Sequence, residues 1–172
     1  MTPTTLFGLP AHPLFVHVPV VLIPLVAIGA IAMACSAWVR ERFGWLVLAF
    51  AVVAGISTQF AIDTGQALRH HVPRSVALDR HVHIAESIRP LILLLFLVAL
   101  AVMLIDRRAR GSWPFNGRVP SRTPGRIVTI AHVAVTVVVG VGTTVRLFQI
   151  GDSGAKATWE RVNLSNPGPG RR

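Results

Sequence analysis

No aspartate, glutamate, lysine or arginine stands in the first 39 positions. Over the whole chain charged residues make up only 14% and hydrophobic residues 52%, against ~25% charged in an ordinary soluble domain. That scarcity excludes a water-soluble globular fold. Cysteine is almost missing as well. Cys35 is alone, so no intrachain disulfide can form and cysteine is silent on compartment. The run Ala32-Met33-Ala34-Cys35 has the outline of a lipoprotein cleavage box. No basic residue precedes it and its apolar run outlasts a signal-peptide core, so the first helix is expected to be retained. Lysine is represented by Lys156 alone, which makes the net charge of +10 almost entirely arginine. Those arginines flank apolar stretches, where they meet anionic lipid. No basic patch with interleaved aromatics lies in a polar segment, which argues against a nucleic-acid partner. No serine, cysteine or threonine stands in a nucleophile motif, and no glycine loop is built to hold phosphate. The GDSG around Ser153 matches serine proteases in letters only, since the chain lacks their length and strands.

What is present is four long apolar blocks, at 14–39, 45–64, 82–105 and 127–150. Each approaches or exceeds the ~20 residues that a helix needs to cross a bilayer. The expected fold is therefore all-α: a four-helix transmembrane bundle, up-down-up-down. Residues 1–13 form a short outer segment, 14–150 the membrane domain, and 151–172 an outer tail whose glycine- and proline-rich end is expected to be disordered. No internal repeat is visible, and no length remains for a second domain.

The connections set the expected orientation. The turn at 40–44 and the loop at 106–126 share one side and carry eight arginines, including Arg40, Arg107, Arg108 and Arg110. The loop at 65–81 carries three, Arg69, Arg74 and Arg80. The positive-inside bias then puts the first and third connections in the cytoplasm and both termini outside a bacterial inner membrane. Trp38, Trp45 and Trp113 gather on the cytoplasmic side as interfacial anchors. Lys156, Arg161, Arg171 and Arg172 oppose this arrangement. Pro114, Pro120 and Pro124 make the third connection an irregular loop.

Polar residues collect at the other face. Six of the seven histidines (His12, His17, His70, His71, His81 and His83) fall near it, His132 being the exception. Five of the seven acidic residues join them: Asp63, Asp79, Glu86, Asp152 and Glu160. On the second helix Gln59, Asp63, Gln66 and His70 share one stripe. On the third, Asp79, His83, Glu86 and Pro90 do the same. An ionisable group in hydrocarbon costs ~2.5–3.5 kcal/mol on insertion scales, so these stripes should turn inward. Asp63, Glu86, Arg89 and Arg146 are expected to pair with one another. Pro19 and Pro24 should weaken the first helix beside His17, leaving the carbonyls of Phe15 and Val20 without helical donors. The stripe His132, Thr136, Gly140 and Thr143 on the fourth helix, like Ala51 and Gly55 on the second, permits close packing.

Three readings of this polar end compete with a plain one. In the first, His17 and His83 (or His81, with His12 nearby) ligate b-type haem in the bundle core. Arg69, Arg74 or Arg89 would then meet the propionates. In the second, His70, His71, His81 and His83 bind a transition metal, although no four-ligand spacing supports it. In the third, Asp63, Glu86 and the histidines relay protons, although polar groups at mid-depth are few. The plain reading is that the histidines and carboxylates only hydrogen-bond one another and kinked backbone, fixing the helix packing.

Four elements together resemble one family. They are the opening HPLFVHVPV, the TGQA closing the second block, the histidines opening the third, and the closing GDSGAKATW. The chain resembles the bacterial membrane family catalogued as domain of unknown function 2231 from about His12 to Trp159. His12, Pro13, His17 and Pro19 carry the most specific part. The resemblance implies a four-helix membrane domain. Some relatives appear joined to Rieske-type or other redox domains, which implies electron transfer with a separate membrane or periplasmic redox protein as partner. Many relatives carry a histidine in the closing motif where this chain has Asp152.

The expected site is thus a polar pocket of His12, His17, Asp63, His83, Glu86, Arg89 and Arg146, with Gln66, His70, Asp79 and Asp152 around it. The leading functional expectation is a non-enzymatic accessory of bacterial redox or respiratory physiology, with haem b as candidate cofactor. The alternatives are a cofactor-free structural or assembly partner, or a small proton-coupled transporter or sensor.

Overall fold

The computed structural model describes residues 5–111 and 125–159. Its elements in chain order are β1 (Thr5–Leu6), β2 (Leu9–Pro10), α1 (Ala11–Cys35), α2 (Ala37–Arg69), α3 (Val76–Glu86), α4 (Ile88–Ala109) and α5 (Arg126–Trp159). β1 and β2 pair antiparallel in a minimal hairpin. Its turn residues Phe7 and Gly8 both lie at positive φ, 52° and 78°. Everything else of regular structure among the described residues is helix. Four stretches are long and apolar enough to cross a membrane: α1, α2, α3 with α4, and α5.

The four apolar blocks are helical as expected, but the helices end elsewhere. α1 begins at Ala11 and not near position 14, and it runs unbroken through Pro19 and Pro24, with Pro19 buried against the other helices. The expected turn at 40–44 is helical. The break lies at Ser36, whose extended backbone (φ −133°, ψ 120°) ends α1 and caps α2, its Oγ accepting from the Val39 N–H at 3.4 Å. Arg40 accounts for this displacement. Its guanidinium donates to the carbonyls of Met33 and Ala34, which close α1, and its Nε donates to Asp106 Oδ1 at 3.1 Å. The last carbonyls of a helix have no intrahelical donor; the arginine supplies one, and the chain needs no longer loop.

The third block is preceded by a separate short helix. α3 stops at Ser87 and α4 resumes at Ile88. Pro90 has no N–H to give to the carbonyl four residues earlier, that of Glu86, which is where the helix is interrupted. The region expected to be an outer tail is helical through Trp159, so α5 outlasts its apolar block. The stretch expected to be an irregular loop, with Trp113, Pro114, Arg118, Pro120, Arg122 and Pro124, and the chain end with Glu160, Arg161, Arg171 and Arg172, lie outside the described residues.

The helices pack through small residues. Against α1, α2 pairs Gly29 with Val47 and Gly44 with Met33. Against α4, α2 pairs Gly44 with Met103 and Gly55 with Ile92. Gly140 of α5 sits on Ala27 and Ile31 of α1. Positions along the α1–α2 and α2–α4 contacts run in opposite directions, which is the register of antiparallel neighbours. The principal core is Val26, Ala27, Ala30 and Met33 from α1, Val47, Leu48 and Ala51 from α2, Leu95, Val98, Ala99, Val102 and Met103 from α4, and Val139 from α5. Thr136 and Thr143 are fully buried on α5, each hydroxyl donating to the carbonyl one turn back, His132 and Val139, at 2.7 Å. Large apolar side chains such as Val21, Ile28, Leu93 and Val138 face outward, as lipid contact requires.

Candidate functional site

One end of the bundle brings together the start of α1, the end of α2, α3 and the end of α5. His12, in the first turn of α1, donates from Nδ1 to the carbonyl of Ala61 on α2 at 2.8 Å. Its ring lies against the chain at Gly65. A Cβ there would come within 2.9 Å of His12 Nδ1, so only glycine leaves room. His81, on α3, approaches from the other side. Its Nδ1 lies 3.0 Å from Ser153 Oγ on α5. That hydroxyl gives its own hydrogen to the Ile150 carbonyl at 2.8 Å, so it accepts from the imidazole. A Cβ at Gly154 would come within 3.0 Å of His81 Cε1. The two rings stand edge to face, centroids 6.5 Å apart at 72°.

This arrangement repeats one device. Each histidine crosses to a neighbouring helix, donates to an oxygen there, and lies where that helix carries a glycine. The glycines belong to TGQA and GDSG, the two motifs that close the second and fourth blocks. Buried Thr64 belongs to the same end, its Oγ1 donating to the Phe60 carbonyl at 2.7 Å. Arg146 of α5 adds a further tie, donating from Nε to Ser87 Oγ at 2.7 Å across the α3–α4 break, and from Nη1 to Gln149 Oε1 at 3.0 Å.

The histidines expected to lead the site are not the ones that meet. His17 is exposed and donates from Nδ1 to its own helix, at the Pro13 carbonyl, 2.6 Å away. His83 is also exposed, and no hydrogen bond or ring contact joins it to His17 among the described residues. His70 and His71 lie exposed at the end of α2, where His71 Nδ1 donates to the Ala67 carbonyl at 3.0 Å. No group of three or more His, Cys, Asp or Glu placed to hold a metal occurs among the described residues. The proposed metal set of His70, His71, His81 and His83 is therefore not assembled there.

The expected mutual pairing of Asp63, Glu86, Arg89 and Arg146 is also replaced. Asp63, half-buried, accepts from Gln59 Nε2 at 2.7 Å, and Glu86, exposed, accepts from Gln66 Nε2 at 3.1 Å. Neutral amides on α2 satisfy both carboxylates, so neither needs an arginine. Asp79 takes Arg69 at 2.6 Å, and Asp152 takes Lys156 at 2.7 Å. Arg89 is exposed, without an ion pair or hydrogen bond among the described residues.

The haem pair expected of His17 and His83 finds no support in the hydrogen bonds and ring contacts, which engage His17 with Pro13 and bring His12 against His81. The rings that do meet, His12 and His81, lie against glycine backbone on the outer helices. Two open apolar grooves lie elsewhere. One, between α2 and α4, is lined by residues including Gly55 and Phe96, and the other, between α4 and α5, by residues including Ala101 and His132.

Sequence reasoning named His12 and His81 but missed their partners. It missed Ala61 and Gly65, which carry no chemical signal at the close of the second block, and Ser153 and Gly154, because the closing glycine motif was placed in a tail outside the last helix. The signal was available: Ile150, Ser153, Gly154 and Ala157 recur with helical spacing and continue the packed stripe of α5.

The fold and this end together define a helical integral membrane protein, closed at one end by interlocked imidazoles. Residues 8–164 match the model of the family described as predicted membrane protein (DUF2231), and the chain belongs to that family. No curated protein and no solved structure matches it.

Proposed function

We propose that this protein is a non-enzymatic assembly or accessory component of a bacterial inner-membrane complex, held in its working shape without a cofactor. One observation carries the reading. At the histidine end the polar residues divide into two sets. His12, His81, Ser153, Arg146 and Ser87 are consumed in tying helices to one another. His17, His70, His83, Glu86 and Arg89 are left exposed. The first set supports a structural use of the imidazoles. The second is an exposed polar rim, which supports docking of a polar partner at that end. A membrane or periplasmic redox protein is the partner class in view, with both termini and the rim on the outer side.

The test is purification from haem-replete cells in mild detergent. The expected preparation lacks a Soret band and contains a second membrane protein in fixed ratio. His17→Ala with His83→Ala should release that protein without lowering the melting temperature. A Soret band that shifts on reduction and disappears in His12→Ala or His81→Ala overturns the proposal in favour of electron transfer. Proton flux in sealed liposomes of the purified protein overturns it in favour of transport.

A further inference from the structure

The groove between α2 and α4 is walled by Ala51, Gly55, Ile56, Ile92, Leu93 and Phe96, with Gln59 and Arg89 toward one end. We propose that this groove is a binding site for an anionic phospholipid, the acyl chain lying along the apolar wall and the phosphate held by Arg89.

Three observations point to that occupant. The first is charge. Arg89 is on the groove wall, exposed, and has no ion pair or hydrogen bond among the described residues. Among the other arginines near this end, Arg146 is engaged with Ser87 and Gln149 and Arg69 with Asp79, while Arg74 and Arg80 are exposed and do not line the groove. A guanidinium bordering hydrocarbon is costly unless it reaches a polar partner, and its planar fork suits phosphate. The second is depth. Arg89 immediately precedes the uncharged stretch of α4 that ends before Asp106, so it lies at headgroup level and not at mid-bilayer. The third is length. From Arg89 to Phe96 along α4, and from Gln59 back to Ala51 along α2, the groove extends about 10–12 Å at the helical rise of 1.5 Å per residue. One leaflet's share of a ~30 Å hydrocarbon core is about 15 Å. The groove therefore fits the chain of a lipid from the leaflet whose headgroups lie beside Arg89. A second copy of the protein would have to bury Arg89 against an equal charge or find an unpaired carboxylate, and the nearby Asp63 and Glu86 are already engaged by Gln59 and Gln66.

The site can be tested at both of its ends. Gly55 lies in the wall, and a Cβ added there meets only Ile92 Cγ2 at 3.7 Å, an ordinary contact. Gly55→Ala should therefore fold and bind normally, whereas Gly55→Leu fills the groove. Arg89→Gln removes the charge from an exposed position. Native protein is reconstituted in nanodiscs of equal phosphatidylglycerol and phosphatidylcholine, extracted gently, and retained lipid is counted by native mass spectrometry. Phosphatidylglycerol should be retained over phosphatidylcholine by about tenfold, the scale of one charge-assisted contact. Arg89→Gln should erase the preference. Gly55→Leu should lose the lipid, and Gly55→Ala should keep it. Equal retention of the two lipids by the native protein, or a preference that survives Arg89→Gln, overturns the proposal. So does efficient disulfide cross-linking between copies through cysteines placed at Ile56 and Leu93, which would make a second chain the occupant.

Discussion

His12 and His81 meet edge to face with ring centroids 6.5 Å apart, although they lie on helices separated by the whole of α2. Each ring donates to a different helix, His12 to α2 and His81 to α5. Four elements are thereby joined at one end by two side chains. In lipid this is an effective lock, because apolar helices gain little from one another over what acyl chains offer, and packing with hydrogen bonds decides association.

His12→Ala should therefore destabilise the bundle by about 2 kcal/mol, the sum of one hydrogen bond and the packing of one ring. His17→Ala, five residues along the same helix, removes an exposed ring bonded to its own turn and should cost no more than about 0.5 kcal/mol. Denaturant titration in detergent, followed by circular dichroism, separates the two. Equal losses would show that the lock is not where the hydrogen bonds place it.

That contrast also shows what the sequence could and could not convey. The four spans were legible because lipid forces an apolar block about as long as the bilayer is thick. The end bearing the polar residues was legible because charge has to leave hydrocarbon. Which histidine turns inward was not. His12 and His17 are five residues apart and His81 and His83 two, and at ~100° per residue such pairs point to different sides of a helix. The phase that selects one of them is normally read from an apolar stripe, but α1 is apolar all round and carries none, and on α3 the polar stripe of Asp79, His83 and Glu86 pointed to His83, whereas His81 makes the contact. Helix ends were misread for a related reason. An apolar block ends where the hydrocarbon does, whereas α2 and α5 continue past it, and the true break at Ser36 is set by Arg40 reaching back to Met33 and Ala34. Pairing among Asp63, Glu86, Arg89 and Arg146 was expected from charge alone. Gln59 and Gln66, one turn before Asp63 and across from Glu86, satisfy the carboxylates first.

The glycines under the two rings give a second expectation. Gly65→Ala places a methyl 2.9 Å from His12 Nδ1, and Gly154→Ala places one 3.0 Å from His81 Cε1. Each should cost about 1–3 kcal/mol through overpacking, because the ring that must move is also hydrogen-bonded. Gly65→Ala made on a His12→Ala background should be much milder, a departure from additivity of more than about 0.5 kcal/mol. Gly142→Ala on α5 meets nothing within 4 Å and should be neutral or slightly stabilising. The same denaturation series, run on all four proteins, reads these differences.

The opposite end is held by charge. The Arg40 and Asp106 side chains are 19% and 15% exposed, and Asp106 also takes Arg110. Arg40→Ala should cost about 2 kcal/mol or more, below the ~3–5 kcal/mol of a fully buried pair but raised by the loss of the bonds to Met33 and Ala34. Arg40→Lys should recover only part, since a single ammonium cannot reach the carboxylate and two carbonyls in the manner of a planar fork. Asp106→Asn should lie between, because Arg40 keeps its carbonyl partners. Raising the salt concentration should narrow the gap between Arg40→Lys and the native protein little, because this pair is mostly shielded from solvent. A gap that closes at high salt would identify a surface pair instead.

Adjacent residues of the closing glycine motif should respond in opposite ways. Asp152 and Lys156 form an i,i+4 pair with side chains 63% and 72% exposed, an arrangement worth about 0.3–0.5 kcal/mol. Ser153 is buried, and its hydroxyl links His81 to the Ile150 carbonyl. Asp152→Ala should thus leave stability almost unchanged. Ser153→Ala should cost about 1–2 kcal/mol, since it removes the acceptor of a half-buried imidazole donor. The consequence extends beyond stability. Without the serine, the His81 tie between α3 and α5 is lost, so amide exchange should quicken in Val76–Glu86 and not in the α1–α2 contact region around Gly29 and Val47. Hydrogen exchange read by mass spectrometry resolves those segments. If exchange quickened evenly through the bundle, or rose more in Asp152→Ala than in Ser153→Ala, the serine would not be what fastens the short helix to the membrane domain.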